Sequence, residues 1–127
     1  ALVNNISAKL TLKMGWYVDA NDYFYVLFDT DQDANNLYLA SKDSGAVEVL
    51  EDTGVDLTAN TVFDFVLGND GTNVALSING VSITLENTDI LGDDTVDYVP
   101  YFYIDNKDGA NQKILDIDFI KIYQDRT

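Results

Sequence analysis

A chain of 127 residues is about one domain, long enough to bury roughly two thirds of the surface its unfolded form exposes. Its 22 acidic against 7 basic residues leave a net charge of −15, which repels nucleic-acid phosphate and anionic lipid headgroups and disfavours both as partners. Having neither histidine nor cysteine, the chain lacks the usual zinc and copper sites, disulfides, thiolate metal sites and the Ser-His-Asp and Cys-His nucleophile systems.

From Ile6 to Trp16, apolar Ile6, Ala8, Leu10, Leu12, Met14 and Trp16 alternate with Ser7, Lys9, Thr11, Lys13 and Gly15. This period of two predicts a half-exposed strand with no breaker before Gly15. Asp19, Asn21 and Asp22 form a turn. Tyr23 to Phe28, YFYVLF, is apolar on both faces and reads as a strand covered on both sides or lying at a sheet-to-sheet contact. An acidic loop follows from Asp29 to Asn36, then a short strand over Leu37 to Ala40. A turn at Ser44-Gly45 leads into Val47 to Leu50, with Thr53-Gly54 closing that segment.

The clearest stretch is Thr61 to Leu85, TVFDFVLGNDGTNVALSINGVSITL. Val62, Phe63, Phe65, Val66 and Leu67 precede turn residues Gly68 to Gly71. Val74, Leu76 and Ile78 then alternate with Ala75 and Ser77. Asn79-Gly80 suits a type I′ turn, whose central residues both need positive φ, and Val81, Ile83 and Leu85 alternate with hydroxyls on the return. The segment predicts a three-strand meander. Asn87 to Asp97 is a polar connection. Tyr98 to Ile104 is an aromatic strand whose Pro100, unable to donate to a ladder, marks a strand start or an edge. After a turn at Asn106 to Asn111, Lys113 to Tyr123 predicts a last strand. Its Leu115, Ile117 and Phe119 face one way and Ile120 and Ile122 the other, so a bulge or two-sided burial is needed. About nine strands at roughly ten-residue spacing, with no helix signal beyond a turn near Val47 to Asp52, indicate an all-β antiparallel sandwich or barrel.

A hydrophobic fraction of 46%, with eight tyrosines and six phenylalanines, fits a single packed domain over residues 1–127. No apolar run reaches the roughly 18 residues needed to cross a bilayer, so the chain reads as soluble. It begins at Ala1 and lacks a signal-peptide pattern, which leaves room for a removed leader and leaves localisation open.

Of the 22 acidic residues 19 are Asp, consistent with a solvated surface suited to a salty medium or with calcium-binding loops. Asp29, Asp31 and Asp33 have the spacing that opens an EF-hand loop, where alternate oxygens converge on calcium. Ala34 stands where that loop needs glycine and Ala40 where it needs glutamate, leaving a plain acidic turn or a different, β-loop calcium site. Asp93, Asp94 and Asp97 form a second acidic loop. Asp116 and Asp118 could share a strand face about 7 Å apart, the separation of a glycosidase pair. The Glu-x-Asp-x-x-Glu strand usual in β-sandwich glucanases is missing, and Glu48, Glu51 and Glu86 do not form it. No catalytic residues are therefore assigned. Trp16, Tyr17, Tyr23, Tyr25, Tyr38, Tyr98, Tyr101 and Tyr103 fit core or interface positions, or in part a stacking platform for sugar rings.

The order of these features resembles the concanavalin A-like (laminin G-like) jelly-roll group: an aromatic strand with an acidic turn, YFYVLFDTD; a hairpin, NVALSINGVSI; a Pro-aromatic strand, YVPYFYI; and a closing strand, KILDIDFIKIYQDR. The last two resemble small virion proteins of tailed bacteriophages, whose ending P-x-F-x-x-x-N-x-(small)-x-x-K-x-L-x-I-D-x-I is matched by Pro100, Phe102, Lys113, Leu115, Ile117, Asp118 and Ile120. The resemblance runs from Tyr23 to Arg126, about 105 residues. It implies a jelly-roll β-sandwich and a non-enzymatic structural protein of the virion surface, a capsid decoration or cement protein. The implied partners are the major capsid protein or other virion proteins, with self-association into a homo-oligomer such as a trimer. The alternative within the same fold is a carbohydrate-binding module or receptor-binding lectin domain, secreted or extracellular, with glycans as ligands.

Overall fold

The computed structural model describes residues 2–4, 10–32, 35–69, 74–85, 97–107, 114–117 and 120–122. Its elements are strands: β1 (Leu2–Asn4), β2 (Leu10–Asp19), β3 (Asp22–Asp29), β4 (Asn36–Lys42), β5 (Val49–Asp56), β6 (Thr61–Val62), β7 (Phe65–Asn69), β8 (Val74–Ile78), β9 (Val81–Ser82), β10 (Val99–Asn106) and β11 (Ile114–Asp116). The fold is all-β, and every pairing among the described strands is antiparallel. A five-stranded sheet has the order β10-β2-β3-β4-β5, and two three-stranded sheets have the orders β7-β8-β9 and β11-β1-β6.

The alternation in β2 sets the inside and outside of the large sheet. Leu10, Leu12 and Met14 are fully buried, and with Phe24, Val26 and Phe28 of β3 and Leu37 and Leu39 of β4 they form one core. The same cluster takes in Val74, Leu76 and Ile78 of β8, together with Leu57 and Phe63. The large sheet and the β7–β9 sheet therefore share one apolar interior, in which each fully buried large side chain contributes about 1.5–3 kcal/mol. All of Tyr23 to Phe28 is buried, as its two-sided apolarity predicts. Pro100 sits in β10, the end strand of its sheet, where its missing N–H costs least.

Asn79 and Gly80 adopt φ of 52° and 77° and join β8 to β9 with Ile78 opposite Val81, the expected turn. Ile83 donates its N–H to the Leu76 carbonyl just beyond β9 and packs on the core with Leu85.

Several boundaries depart from the sequence pattern. The apolar run after Thr61 is split: β6 pairs with β1, whereas Phe65 begins β7. Between them Phe63 turns into the core, and Asp64 donates its N–H to Asn79 Oδ1 while its carbonyl accepts from Asn79 N–H. Thr53-Gly54 does not end a strand; it is a bulge within β5. The register there slips between the Asn36–Asp56 and Tyr38–Asp52 pairs, Gly54 takes φ of 69°, and Thr53 Oγ1 donates to the Leu37 carbonyl at 2.7 Å. Gly15 does not interrupt β2 either. The closing strand covers only Ile114–Asp116 among the described residues; Ile120 and Ile122 lie outside any strand and are about half exposed.

Candidate functional site: the tyrosine face of the large sheet

An antiparallel sheet with one face on the core ordinarily turns polar residues to water on the other. Here the outer face is lined by tyrosines. Cross-strand register brings Val99, Tyr17, Tyr23 and Lys42 into one row, Tyr101, Gly15, Tyr25 and Ala40 into the next, and Tyr103, Lys13, Leu27 and Tyr38 into a third. Tyr23, Tyr25, Leu27 and Ala40 are buried there, packed with Tyr17, Tyr38 and Tyr101 into a second cluster separate from the main core.

The rings stand against one another. Tyr17 stacks on Tyr101 at 4.6 Å between centroids and Tyr23 on Tyr25 at 4.8 Å; Tyr17–Tyr23 at 6.1 Å and Tyr101–Tyr103 at 6.2 Å extend the ladder. Such pairs contribute about 0.5–1.5 kcal/mol beyond area burial. Lys13 lays its ammonium 5.3 Å from the ring centres of both Tyr25 and Tyr103, a cation–π contact inside the cluster. Gly15 makes room at the centre: a Cβ there would come within 2.6 Å of both the Phe24 carbonyl oxygen and Tyr25 Cα.

The Tyr23 hydroxyl donates to the Glu48 carboxylate at the margin of the face. Burial raises the Tyr23 phenol above its ordinary pKa, and the bond to Glu48 adds to the shift. Tyr25 and Tyr101 are also raised, in both cases mainly by burial. Tyr23, Tyr25 and Tyr101 therefore stay neutral hydroxyls at any physiological pH. Because the rings turn their faces to one another and to Lys13, the face presents ring edges and hydroxyls outward. Sugar stacking requires open ring faces, so this arrangement suits hydrogen bonding and apolar contact better than a flat glycan platform.

Of the aromatic residues singled out by sequence, Tyr17, Tyr23, Tyr25, Tyr38, Tyr101 and Tyr103 share this outer surface. Trp16 and Tyr98 instead pack on the core, where Trp16 donates Nε1–H to the Leu67 carbonyl at 3.4 Å and Tyr98 meets Phe24 edge-on. Lys13, Gly15 and Glu48 belong to this surface through cross-strand register and contact rather than through any local sequence pattern. The signal for the face was the Tyr-x-Tyr spacing, at Tyr23-x-Tyr25 and again at Tyr101-x-Tyr103, which puts successive rings on one side of a strand.

The proposed calcium ligands look different. Asp29 Oδ1 caps the turn by accepting the Asp31 N–H at 2.9 Å, and Lys107 reaches across to both carboxylates, 3.2 Å from Asp29 Oδ1 and 2.7 Å from Asp31 Oδ2. The bond to Asp31, then that to Asp29, outweighs desolvation and raises the Lys107 pKa. An ammonium thus lies between the two carboxylates, and Asp33 lies outside the described residues. Among the described residues no three of His, Cys, Asp and Glu converge closely enough to hold a metal ion. Asp93, Asp94 and Asp118 also fall outside them, whereas Asp97 and Asp116 are exposed. On the small sheet, a shallow recess lined by Val66, Gly68, Ala75, Ser77 and Ser82 offers small apolar and hydroxyl groups with no charged side chain.

The sequence matches no family model, and searches of curated proteins and of solved structures return no match.

Proposed function

We propose that this protein is a non-enzymatic structural component of a tailed-bacteriophage virion, a capsid decoration or cement protein that attaches to the assembled head. In this reading its fold is a concanavalin A-like jelly-roll β-sandwich, with the large sheet and the β7–β9 sheet as the two layers. The shared apolar interior of those sheets supports the layered arrangement. The observation that carries the functional reading is the outer face of the large sheet, where tyrosines and Leu27 occupy positions that water would ordinarily claim. Tyrosine is enriched at protein–protein interfaces because a rigid apolar ring ends in a hydroxyl that can meet a partner's polar groups.

The test is co-sedimentation of purified protein with undecorated phage heads. Saturable binding at a fixed number of copies per head is expected, and absence of binding across heads from several phages would overturn the reading. The tyrosines also motivate glycan binding as a second reading, which the self-stacked rings support less. Specific signals on a glycan array, combined with failure to bind heads, would replace the first reading with the second.

A further inference from the structure

We propose that the tyrosine face is the docking surface and that it takes a protein surface with a basic rim, its arginine and lysine side chains meeting carboxylates at the margin of the tyrosines. The inference rests on the attachment reading and names the partner chemistry of that same site.

The centre of the face is preorganised. Tyr25 is 3% and Leu27 7% exposed, packed among Tyr17, Tyr38 and Tyr101, with the Lys13 ammonium 5.3 Å from the Tyr25 ring centre. Rings already locked by stacking lose little freedom on docking, which lowers the entropic cost of binding. The margin is acidic. Glu48 accepts from the Tyr23 hydroxyl, Asp52 lies opposite Tyr38, and Asp105 ends the row opposite Thr11. Of the cations on or beside the face, Lys13 is engaged by the rings and Lys107 by Asp29 and Asp31, while Lys42 lies opposite Tyr23 at the Glu48 end, so the acidic margin is strongest along Asp52 and Asp105.

A net charge of −15 repels a polyanion, and a second copy would bring the same acidic margin against this one. The complementary occupant is therefore cationic at its edge and able to meet ring edges and hydroxyls at its centre. Arginine fits both demands, because its planar guanidinium forks to carboxylates and packs on aromatic groups. Lys13 already places an ammonium among these rings.

The test titrates the isotope-labelled protein with a soluble peptide of alternating arginine and valine, following amide and tyrosine-ring resonances. The same peptide with glutamate for arginine, and a linear glucose hexasaccharide, serve as the other arms. Shifts concentrated on Tyr101, Tyr103, Leu50 and Asp52 with the arginine peptide alone are expected. Glu48→Lys is expected to weaken that binding roughly tenfold, whereas Asp116→Lys, an equal charge change on β11, leaves it within about twofold. Equal weakening by both substitutions would reduce the effect to overall charge and overturn the proposal, as would shifts confined to the acidic turns or ring shifts caused by the hexasaccharide. Parallel co-sedimentation separates the two ideas. If heads bind wild type, Glu48→Lys and Tyr103→Ala equally, the docking face is wrong while attachment stands; if the peptide maps to the face and no heads bind, attachment falls and the face stands.

Discussion

Gly15 offers the sharpest test of how the tyrosine face is built. It lies in the interior of β2, where glycine is ordinarily less stable than alanine by about 0.5–1 kcal/mol, so on propensity alone Gly15→Ala should stabilise the protein. The packing predicts the opposite. The added methyl would lie 2.6 Å from the Phe24 carbonyl oxygen, 2.6 Å from Tyr25 Cα and 2.8 Å from Tyr25 Cβ, and none of these is the free end of a side chain. Relief requires the β2 and β3 backbones to separate, which places the cost at the upper end of overpacking, about 3 kcal/mol. Unfolding entropy of roughly 2.1 cal/mol/K per residue gives about 0.27 kcal/mol/K for 127 residues, so that cost lowers Tm by about 11 °C. Thermal unfolding followed by far-UV circular dichroism measures the loss, and the near-UV tyrosine signal reports whether the ring stack is disturbed. Gly68→Ala in β7 is the matched control, because a Cβ there meets nothing within 4 Å; its Tm should hold or rise by a few degrees. A Gly15→Ala protein as stable as wild type, with an unchanged near-UV spectrum, would refute the close approach of β2 and β3.

The raised phenol pKa values of Tyr23, Tyr25 and Tyr101 predict alkaline sensitivity. Below the ordinary tyrosine value of ~10 both states are neutral and the stabilisation is complete; above it the unfolded chain ionises first, so stability falls as pH rises. Tm measured across that range should decline, and Tyr25→Phe should flatten the decline; a flat wild-type curve would contradict buried phenols. Asn79→Ala removes a residue suited to φ of 52° and the acceptor of the Asp64 N–H, so a loss of about 1–2 kcal/mol, or roughly 4–7 °C in Tm, is expected. Calcium should leave Tm within about a degree of the metal-free value, because the Lys107 ammonium already occupies the space between the Asp29 and Asp31 carboxylates and offsets one of their two charges. A clear calcium-dependent rise would mean that a metal ion can displace it.

How far the sequence reaches depends on the distance between interacting residues. Asn79-Gly80 was legible because a type I′ turn is decided by its own two residues, and Tyr23 to Phe28 because an apolar residue at every position has no face to give to water. Thr53-Gly54 read as a strand end, since a turn and a bulge use the same residues; only pairing with Leu37 across the sheet separates them. The contacts of Lys107 with Asp29 and Asp31 span 78 and 76 residues, and no local pattern announces them. Period-two spacing put Tyr101 and Tyr103 on one side of a strand. That this side is shared with Tyr17 and Tyr25 depends on the β10–β2–β3 register, which spacing alone leaves open.

The position of β10 has a consequence for assembly. From β2 to β5 each strand pairs with the next one in sequence, whereas Tyr101 lies opposite Gly15, some 86 residues earlier. Short loops close at little entropic cost and long ones at more, so the hairpins can form before the distant strand arrives. Tyr101 and Tyr103 enter with that strand, so the chain's most distinctive surface becomes complete only when its most remote partner has docked. A molecule halted short of that step could hold β2 to β5 together and still lack a completed tyrosine face.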